Sequence, residues 1–138
     1  MKDDPRAHDF DWISARKACS YGCEFGKLRI TVDEYTKQFE KGDWKTTRRA
    51  RDDARRPAFV VSQCEPGLPP DELSDAHVWF VLQKEGIQTY SSFNSNSPDT
   101  EATLTLNDEG ECVYMVKGKP LLRWQFLRMT LEPLFFGQ

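Results

Sequence analysis

Four cysteines and two histidines are the residues of this 138-residue chain best suited to bind a metal or act as nucleophiles. Cys19 and Cys23 are four positions apart, which brings two thiols together only on a helix face, whereas Cys64 and Cys112 stand alone. Zinc sites commonly combine two cysteine or histidine pairs, each held in a turn. We therefore predict no metal site. We interpret the cysteines as reduced thiols, since a chain of this length can bury a core without disulfides.

The sequence offers little support for catalysis. His8 lies in a charged, proline-containing start, and His77 precedes an apolar run. The chain contains no Gly-x-Ser-x-Gly, no Gly-x-Gly-x-x-Gly and no phosphate-binding P-loop, which are the local patterns of many hydrolases and nucleotide-dependent enzymes. We predict no catalytic residues and no cofactor, and the sequence favours a protein that is not an enzyme.

A basic segment is the strongest candidate for binding. Residues 44–56 hold six basic side chains against two acidic ones, a net charge of +4 within a chain of net charge −3. Arginine side chains bind phosphates or carboxylates through paired hydrogen bonds. The alternative is a solvated connector whose arginines pair with Asp52, Asp53 and the acidic C-terminal part. The predicted binding residues are Lys45, Arg48, Arg49, Arg51, Arg55 and Arg56.

A second candidate is a small-molecule pocket between a sheet and a C-terminal helix. Pockets are mostly apolar and contain a few polar anchors. The candidate anchors are Tyr90, Tyr114, Gln125 and Arg128. Ordinary core packing explains the same apolar pattern, because periodicity alone does not separate a core from a cavity.

The N-terminal residues indicate helices. The charged start at residues 1–8 is expected to be frayed. Asp9 or Asp11 is suited to cap the helix that follows, because a carboxylate accepts hydrogen bonds from the free N–H groups of a first turn. From Trp12 onward, small or apolar side chains recur at intervals of three and four. We expect helical structure over residues 9–42.

An interruption is expected inside this helical region. Residues 31–34 fit a capping box, with the hydroxyl of Thr31 as the cap and the side chain of Glu34 reaching back to it. The helix would then break near residues 26–31. The alternative is a strand over residues 28–32, where apolar side chains alternate.

Beyond a basic connector at residues 43–57, the periodicity changes from helical to extended. Five apolar or alternating runs, separated by turn-forming residues, predict an antiparallel meander over residues 58–116. Two of the turns end in Glu-Gly, and we expect Gly86 and Gly110 to supply the positive φ of three-residue hairpin loops. Longer loops are expected at residues 65–75 and 94–100.

A final helix is expected over residues 120–132, because Pro120 suits a first turn and apolar side chains then repeat at helical spacing. Pro133 is expected to end it, which leaves the apolar residues 134–136 either docked or exposed. The expected fold class is α+β, with N-terminal helices and a C-terminal helix packed on an antiparallel meander of about five strands. Chain length predicts one domain over residues 1–138.

Function is inferred from charge and from the missing catalytic patterns. We predict a small intracellular domain that binds another protein, with a second copy of itself as one candidate partner. The alternatives are a small-molecule-binding protein or minor enzyme, and a nucleic-acid-binding protein, which the negative net charge disfavours. No apolar run approaches the length of a membrane span or of a secretory signal, so we expect a cytoplasmic location and no membrane partner.

Overall fold

Helices from both ends of the chain pack on one antiparallel sheet. The computed structural model describes residues 10–42, 48–63, 76–91 and 97–136. The frayed start predicted at residues 1–8, the predicted loop at residues 65–75 and residues 94–96 of the other predicted loop lie outside these ranges. The described helices are α1 (Trp12–Ala18), α2 (Tyr21–Gly42) and α3 (Arg123–Phe136). The described strands are β1 (Arg48–Asp52), β2 (Ala58–Gln63), β3 (His77–Gln83), β4 (Gly86–Tyr90), β5 (Thr100–Leu106), β6 (Cys112–Val116) and β7 (Lys119–Leu121).

The sheet is a continuous meander in which each strand pairs antiparallel with the next one in the chain. This confirms the α+β class and the antiparallel topology. The described residues form seven strands, however, where about five were expected. The two additional strands are β1 and β7, and they are the two edges of the sheet.

β1 arises from residues that were expected to be part of a connector. Its residues Arg48 to Asp52 pair in register with Gln63 to Phe59 of β2. Nothing in the local charge pattern predicts a strand there. β1 forms because β2 presents backbone groups that need partners and because α2 packs against the added strand.

The C-terminal helix begins later than expected and continues past Pro133. Pro120 lies in the edge strand β7, where its missing N–H can face away from the sheet. α3 then begins at Arg123 and includes Pro133. The proline removes one helical hydrogen bond, but Leu134 and Phe135 beyond it are buried. Their burial outweighs the lost bond.

The two N-terminal helices are separated at Cys19 and Ser20 rather than near residues 26–31. Asp11 caps α1 as expected, because its carboxylate accepts a hydrogen bond from the amide of Ser14 at 3.1 Å. α1 is only seven residues long, and none of them is buried.

α2 runs unbroken through the residues where a capping box or a strand was expected. The hydroxyl of Thr31 donates to the carbonyl of Lys27 inside the helix and caps nothing. Leu28 and Val32 lie four positions apart and are fully buried, because side chains at that spacing share one helix face. None of the helices in the described ranges combines the length and the apolar character needed to cross a membrane.

Glycines support two of the hairpin turns. Gly110 has a φ of 79° and closes the β5–β6 turn as predicted. Gly86 instead begins β4 directly after a two-residue turn and has no positive φ. The β6–β7 turn consists of Lys117 and Gly118, with φ values of 52° and 79°. Two successive residues with positive φ form a type I′ turn, whose twist suits a two-residue hairpin.

α2 and α3 run parallel to each other on one face of the sheet. Near their starts, Arg123 of α3 contacts Glu24 of α2. Near their ends, Phe135 of α3 contacts Phe39 of α2. The core beneath them contains a series of neighbouring rings, which are Phe59, Phe80, Phe126 and Tyr114. This series connects β2, β3, α3 and β6.

β5 changes its pairing partner along its length. Its first residues pair with β4, and the residues from Thr103 onward pair with β6. At this change the amide of Leu104 donates to the hydroxyl of Tyr21 at 3.3 Å, and that hydroxyl donates to the carbonyl of Glu85 at 3.1 Å. The hydroxyl of Tyr21 thus accepts the hydrogen bond of an amide that has no partner in a neighbouring strand. The contact also attaches the start of α2 to the sheet.

Candidate functional site

The predicted binding residues that the structure describes lie on the β1–β2 hairpin, at one edge of the sheet. Lys45 lies outside the described residues. Arg48 is buried and Arg51 is half-buried. The exposed arginines of the hairpin are Arg49, Arg55 and Arg56. The hairpin therefore presents only some of its cations to a partner.

Arg48 is used inside the fold. It is 5% exposed, and its Nε and Nη2 donate to the carbonyl oxygen of Leu134 at 3.1 and 2.9 Å. Its guanidinium group lies 4.8 Å from the ring centre of Phe39. A cation at the last turn of a helix bonds a free carbonyl and offsets the negative end of the helix dipole. Arg48 therefore stabilises the end of α3. It is not available to a partner at the surface, although the sequence analysis grouped it with the predicted binding residues.

Asp53 is engaged within the turn that follows β1. It accepts a hydrogen bond from the backbone amide of Arg55 at 2.7 Å and forms an ion pair with Arg56 at 2.8 Å. The hydrogen bond from the Arg55 amide, followed by that from the Arg56 guanidinium, lowers the pKa of Asp53. The alternative interpretation of this segment as a solvated connector expected its arginines to pair with Asp52 and Asp53. One such pair, between Arg56 and Asp53, is present.

Arg29 of α2 reaches over the β1 edge. Its guanidinium group forms ion pairs with Asp52 at 2.7 Å and with Asp33 at 2.8 Å, and it lies 5.7 Å from the ring centre of Phe59. It also donates to the backbone carbonyl of Ala50 at 3.4 Å. This carbonyl of the edge strand therefore already accepts a hydrogen bond from α2. One fewer backbone acceptor is left for a strand that would add to this edge.

The hairpin keeps a surplus of positive charge. Within the described ranges, no ion pair involves Arg49 or Arg55, and both aspartates of the segment are engaged by other arginines. Arg49 and Arg51 are two positions apart in β1, so they lie on the same face of the sheet. Their backbone positions are roughly 7 Å apart, which is also the spacing of alternate residues in an extended peptide.

The predicted pocket residues do not converge on a cavity. Tyr114 is completely buried and stacks on Phe126 in the core. Ile87 of β4 belongs to the same core, so Tyr90, three positions later, points to the opposite face of the sheet. The two tyrosines are therefore separated by the sheet itself.

The other two pocket candidates have roles within α3. The side chain of Gln125 accepts a hydrogen bond from the amide of Leu122 at 2.8 Å, just before the helix begins. Arg128 is exposed and lies 3.5 Å from Glu132 in the next turn. These contacts support helix capping and surface ion pairing at the two positions.

A buried carboxylate joins the two long helices to the sheet, and the sequence reasoning missed it. Glu24 is 1% exposed, and its Oε1 accepts hydrogen bonds from the Tyr114 hydroxyl and from Nε of Arg123, each at 2.8 Å. Nζ of Lys27 lies 3.7 Å from Oε2. The signal was present in the sequence, because Glu24 precedes Leu28 by four positions and so lies on the buried face of α2.

The surroundings of Glu24 favour its charged form. Burial opposes ionisation, but the hydrogen bonds from Arg123 and Tyr114 outweigh it, so the pKa of Glu24 lies below its ordinary value. Burial, and then the hydrogen bond to Glu24, raises the pKa of Tyr114. The carboxylate, the neutral phenol and the guanidinium therefore form a stabilising network between α2, β6 and α3.

Two cysteines form a disulfide, which corrects the expectation of reduced thiols. Cys19 lies between α1 and α2, and Cys112 begins β6. Their Cα atoms are 5.4 Å apart, although the two residues are separated by 93 positions in the chain. Cys23 is an exposed free thiol, and Cys64 lies outside the described residues. The pairing depends on how the N-terminal helices dock on the β5–β6 hairpin, which no local pattern encodes.

The remaining candidates for metal binding lie partly outside the described residues. His77 lies in β3, and His8 lies outside the described residues. The part of the chain that the structure describes holds no group of three or more histidine, cysteine, aspartate or glutamate side chains placed to bind a metal. The features of the described residues that bear on function are therefore the positively charged β1–β2 hairpin and the disulfide.

Comparisons with protein-family models, with curated proteins and with solved structures find no match for this chain.

Proposed function

We propose that this protein is a non-catalytic binding domain that recognises an acidic segment of a partner protein through its β1–β2 hairpin. The observation that carries the proposal is the exposure of Arg49 and Arg55 on an edge hairpin whose aspartates already pair with other arginines. Guanidinium groups bind carboxylates through charge-assisted hydrogen bonds. The proposed contact residues are Arg49, Arg51, Arg55 and Arg56.

An acidic protein segment suits the charge distribution better than nucleic acid does. The whole chain has a net charge of −3, and residues 57–138 alone carry −6. This acidic part repels a long polyanion that extends beyond the hairpin, whereas a short acidic peptide needs only the local positive charge. Nucleic acid is therefore treated as an alternative outcome of the test.

Recognition is expected to depend on side chains rather than on an added strand. Arg29 already bonds the carbonyl of Ala50, so a strand added to β1 would lose a backbone contact there. Arg49 and Arg51 lie on one face, where their guanidinium groups can reach alternate carboxylates of an extended peptide.

Binding of a fluorescently labelled poly-glutamate peptide, measured by anisotropy at low and high salt, tests the proposal. We expect the native chain to bind, with an affinity that falls as salt screens the charges. The Arg49→Glu/Arg55→Glu variant should not bind. The matched control is Lys84→Glu/Lys119→Glu, which changes the net charge equally at exposed positions outside the hairpin and should bind as the native chain does.

Two results would contradict the proposal. The first is absence of peptide binding by the native chain at low salt. The second is an equal loss of binding in the hairpin variant and in the control, because net charge rather than the hairpin would then determine affinity. Tighter binding of single-stranded RNA or DNA than of the peptide would assign the hairpin to nucleic acid instead.

Self-association and location stay predictions. A second copy of the chain is a candidate partner because its acidic part offers carboxylates to the same arginines. Native mass spectrometry of the native chain and of Arg49→Glu/Arg55→Glu tests this self-association.

The cellular location proposed from the sequence is the cytoplasm. In that reducing compartment Cys19 and Cys112 would be held mainly as thiols.

A further inference from the structure

The first helix has few attachments to the rest of the fold. No residue of α1 is buried, and within the described ranges the helix borders only β5 closely. At its C-terminal end, Cys19 is bonded to Cys112 of β6. At its N-terminal end, the ring of Phe10 packs directly on Gly110 in the β5–β6 turn, where an added methyl group would overlap the ring.

α2, in contrast, is attached independently of the disulfide. Tyr21 bonds to β5, Glu24 bonds to β6 and α3, and Arg29 bonds to β1. Leu28 and Val32 are fully buried against the sheet. These contacts are spread along the helix, so α2 does not depend on Cys19 to remain in place.

An isolated helix of seven residues is not stable in water, because the free energy needed to nucleate it exceeds the stabilisation from so few hydrogen bonds. α1 therefore depends on its attachments for its helical state. The disulfide is the covalent one. The others are the contacts of α1 with β5 and the packing on Gly110 of Phe10, which is itself 54% exposed.

We propose that the Cys19–Cys112 disulfide is a redox-sensitive tether of α1, so that a dithiol reductant releases this helix while the rest of the domain remains folded. In the reaction, one thiolate of the dithiol attacks a sulfur of the pair, and the other cysteine leaves as a thiolate. The second thiolate of the reductant then displaces the remaining cysteine, and the reductant becomes a cyclic disulfide. The two protons of the dithiol end on Cys19 and Cys112.

The tether would separate two forms of the same chain. In an oxidising environment, α1 is held beside the β5–β6 hairpin, with Trp12 and Ile13 facing solvent. In a reducing environment, the segment from Phe10 to Ala18 becomes an unattached apolar and basic extension. This inference is independent of the binding proposed for the β1–β2 hairpin, because β5 and β1 are separated by three strands of the sheet.

Limited trypsin digestion of the native chain, with and without dithiothreitol, tests the tether. Arg16 and Lys17 are exposed cleavage sites in α1, and Lys27 is an exposed site in α2 that serves as an internal reference. We expect reduction to increase the cleavage rate at Arg16 and Lys17 by about tenfold or more, because cleavage follows the population of the locally opened state. Cleavage at Lys27, followed by mass spectrometry in the same samples, should not change.

Variants separate the tether from other thiol effects. Cys19→Ala/Cys112→Ala should be cut rapidly at Arg16 and Lys17 without reductant and should not respond further to it. Cys23→Ser removes the exposed free thiol and should respond to reductant as the native chain does. Should the double variant fail to fold, the reduced native chain decides the question through the same cleavage sites.

Two outcomes would overturn the inference. Unchanged cleavage at Arg16 and Lys17 after complete reduction would show that α1 does not need the tether. A parallel increase at Lys27 would show that the disulfide stabilises the whole domain rather than the attachment of α1.

Discussion

The guanidinium group of Arg48 donates two hydrogen bonds to the carbonyl oxygen of Leu134, at 3.1 and 2.9 Å, across a separation of 86 positions in the chain. The contact joins the edge strand β1 to the last turn of α3. It bonds a carbonyl that the helix end leaves without a partner of its own, so two elements that are far apart in the sequence stabilise each other.

Replacing Arg48 by methionine should therefore destabilise the fold. We expect the free energy of unfolding of Arg48→Met, measured by urea denaturation, to fall by about 2 kcal/mol, because charged hydrogen bonds to a helix terminus are lost. The neighbouring Arg49→Met is the matched control, since that side chain is exposed, and its effect should stay within about 0.5 kcal/mol. Equal effects of the two substitutions would contradict the role assigned to Arg48.

The ionised carboxylate of Glu24 should make stability depend on pH. Its pKa is lowered in the folded protein from an ordinary value of 4.5. The stabilisation is therefore complete above that value and is lost as the pH falls through the lower, folded-state pKa. Urea denaturation at a series of pH values should show that the native protein loses stability below pH 4.5 more steeply than Glu24→Gln does.

At neutral pH the same Glu24→Gln substitution should lower the free energy of unfolding by about 1–3 kcal/mol, because Arg123 loses its counter-ion while Tyr114 keeps an acceptor. Glu34→Gln makes the same chemical change at an exposed position of α2 and serves as the control. The prediction would be refuted if the free energy of unfolding of Glu24→Gln depended on pH in the same way as that of the native protein. The loss of stability in acid would then not come from this carboxylate.

The hydroxyl of Tyr21 should protect the point where β5 changes partner. Tyr21→Phe removes the acceptor of the Leu104 amide, and we expect a loss of about 1–2 kcal/mol of stability together with faster hydrogen exchange at that amide. Tyr35→Phe is the control, because its side chain is also half-buried on α2 and its hydroxyl forms no hydrogen bond with the described residues. Unchanged exchange at Leu104 in Tyr21→Phe would contradict this prediction.

Two glycines should respond to alanine with opposite signs. Gly118 has a φ of 79° in the β6–β7 turn, and Gly118→Ala should cost about 1–2 kcal/mol because a Cβ is crowded in that conformation. Gly26 lies inside α2 with open space around it, and Gly26→Ala should stabilise the protein by about 0.5–1 kcal/mol. Thermal unfolding of both variants checks the two signs, and a shift in the same direction would show that one conformation is misassigned.

Much of the secondary structure could be predicted from the sequence, because its signals are local. Apolar or alternating runs predicted the strands of the meander within residues 58–116, and Asp11 was one of the two caps proposed for the helix that begins at Trp12. These signals depend on side chains a few positions apart, whose relative placement is set by the geometry of a helix or strand. β1 and β7 were missed because an edge strand is defined by its neighbour in the sheet.

The sequence by itself determined the three helices, the five inner strands with their antiparallel order, and the position of the cationic segment. Only the tertiary structure decided which cations of that segment are exposed, because Arg48 and Arg49 point to opposite faces of a strand that exists only when β2 pairs with it. The same holds for the disulfide and for the Glu24–Arg123 contact, whose partners are separated by 93 and 99 positions. Such pairs meet only when the helices pack on the sheet. Burial of apolar surface drives that packing, but it is non-directional, so a local pattern does not specify which residues become neighbours.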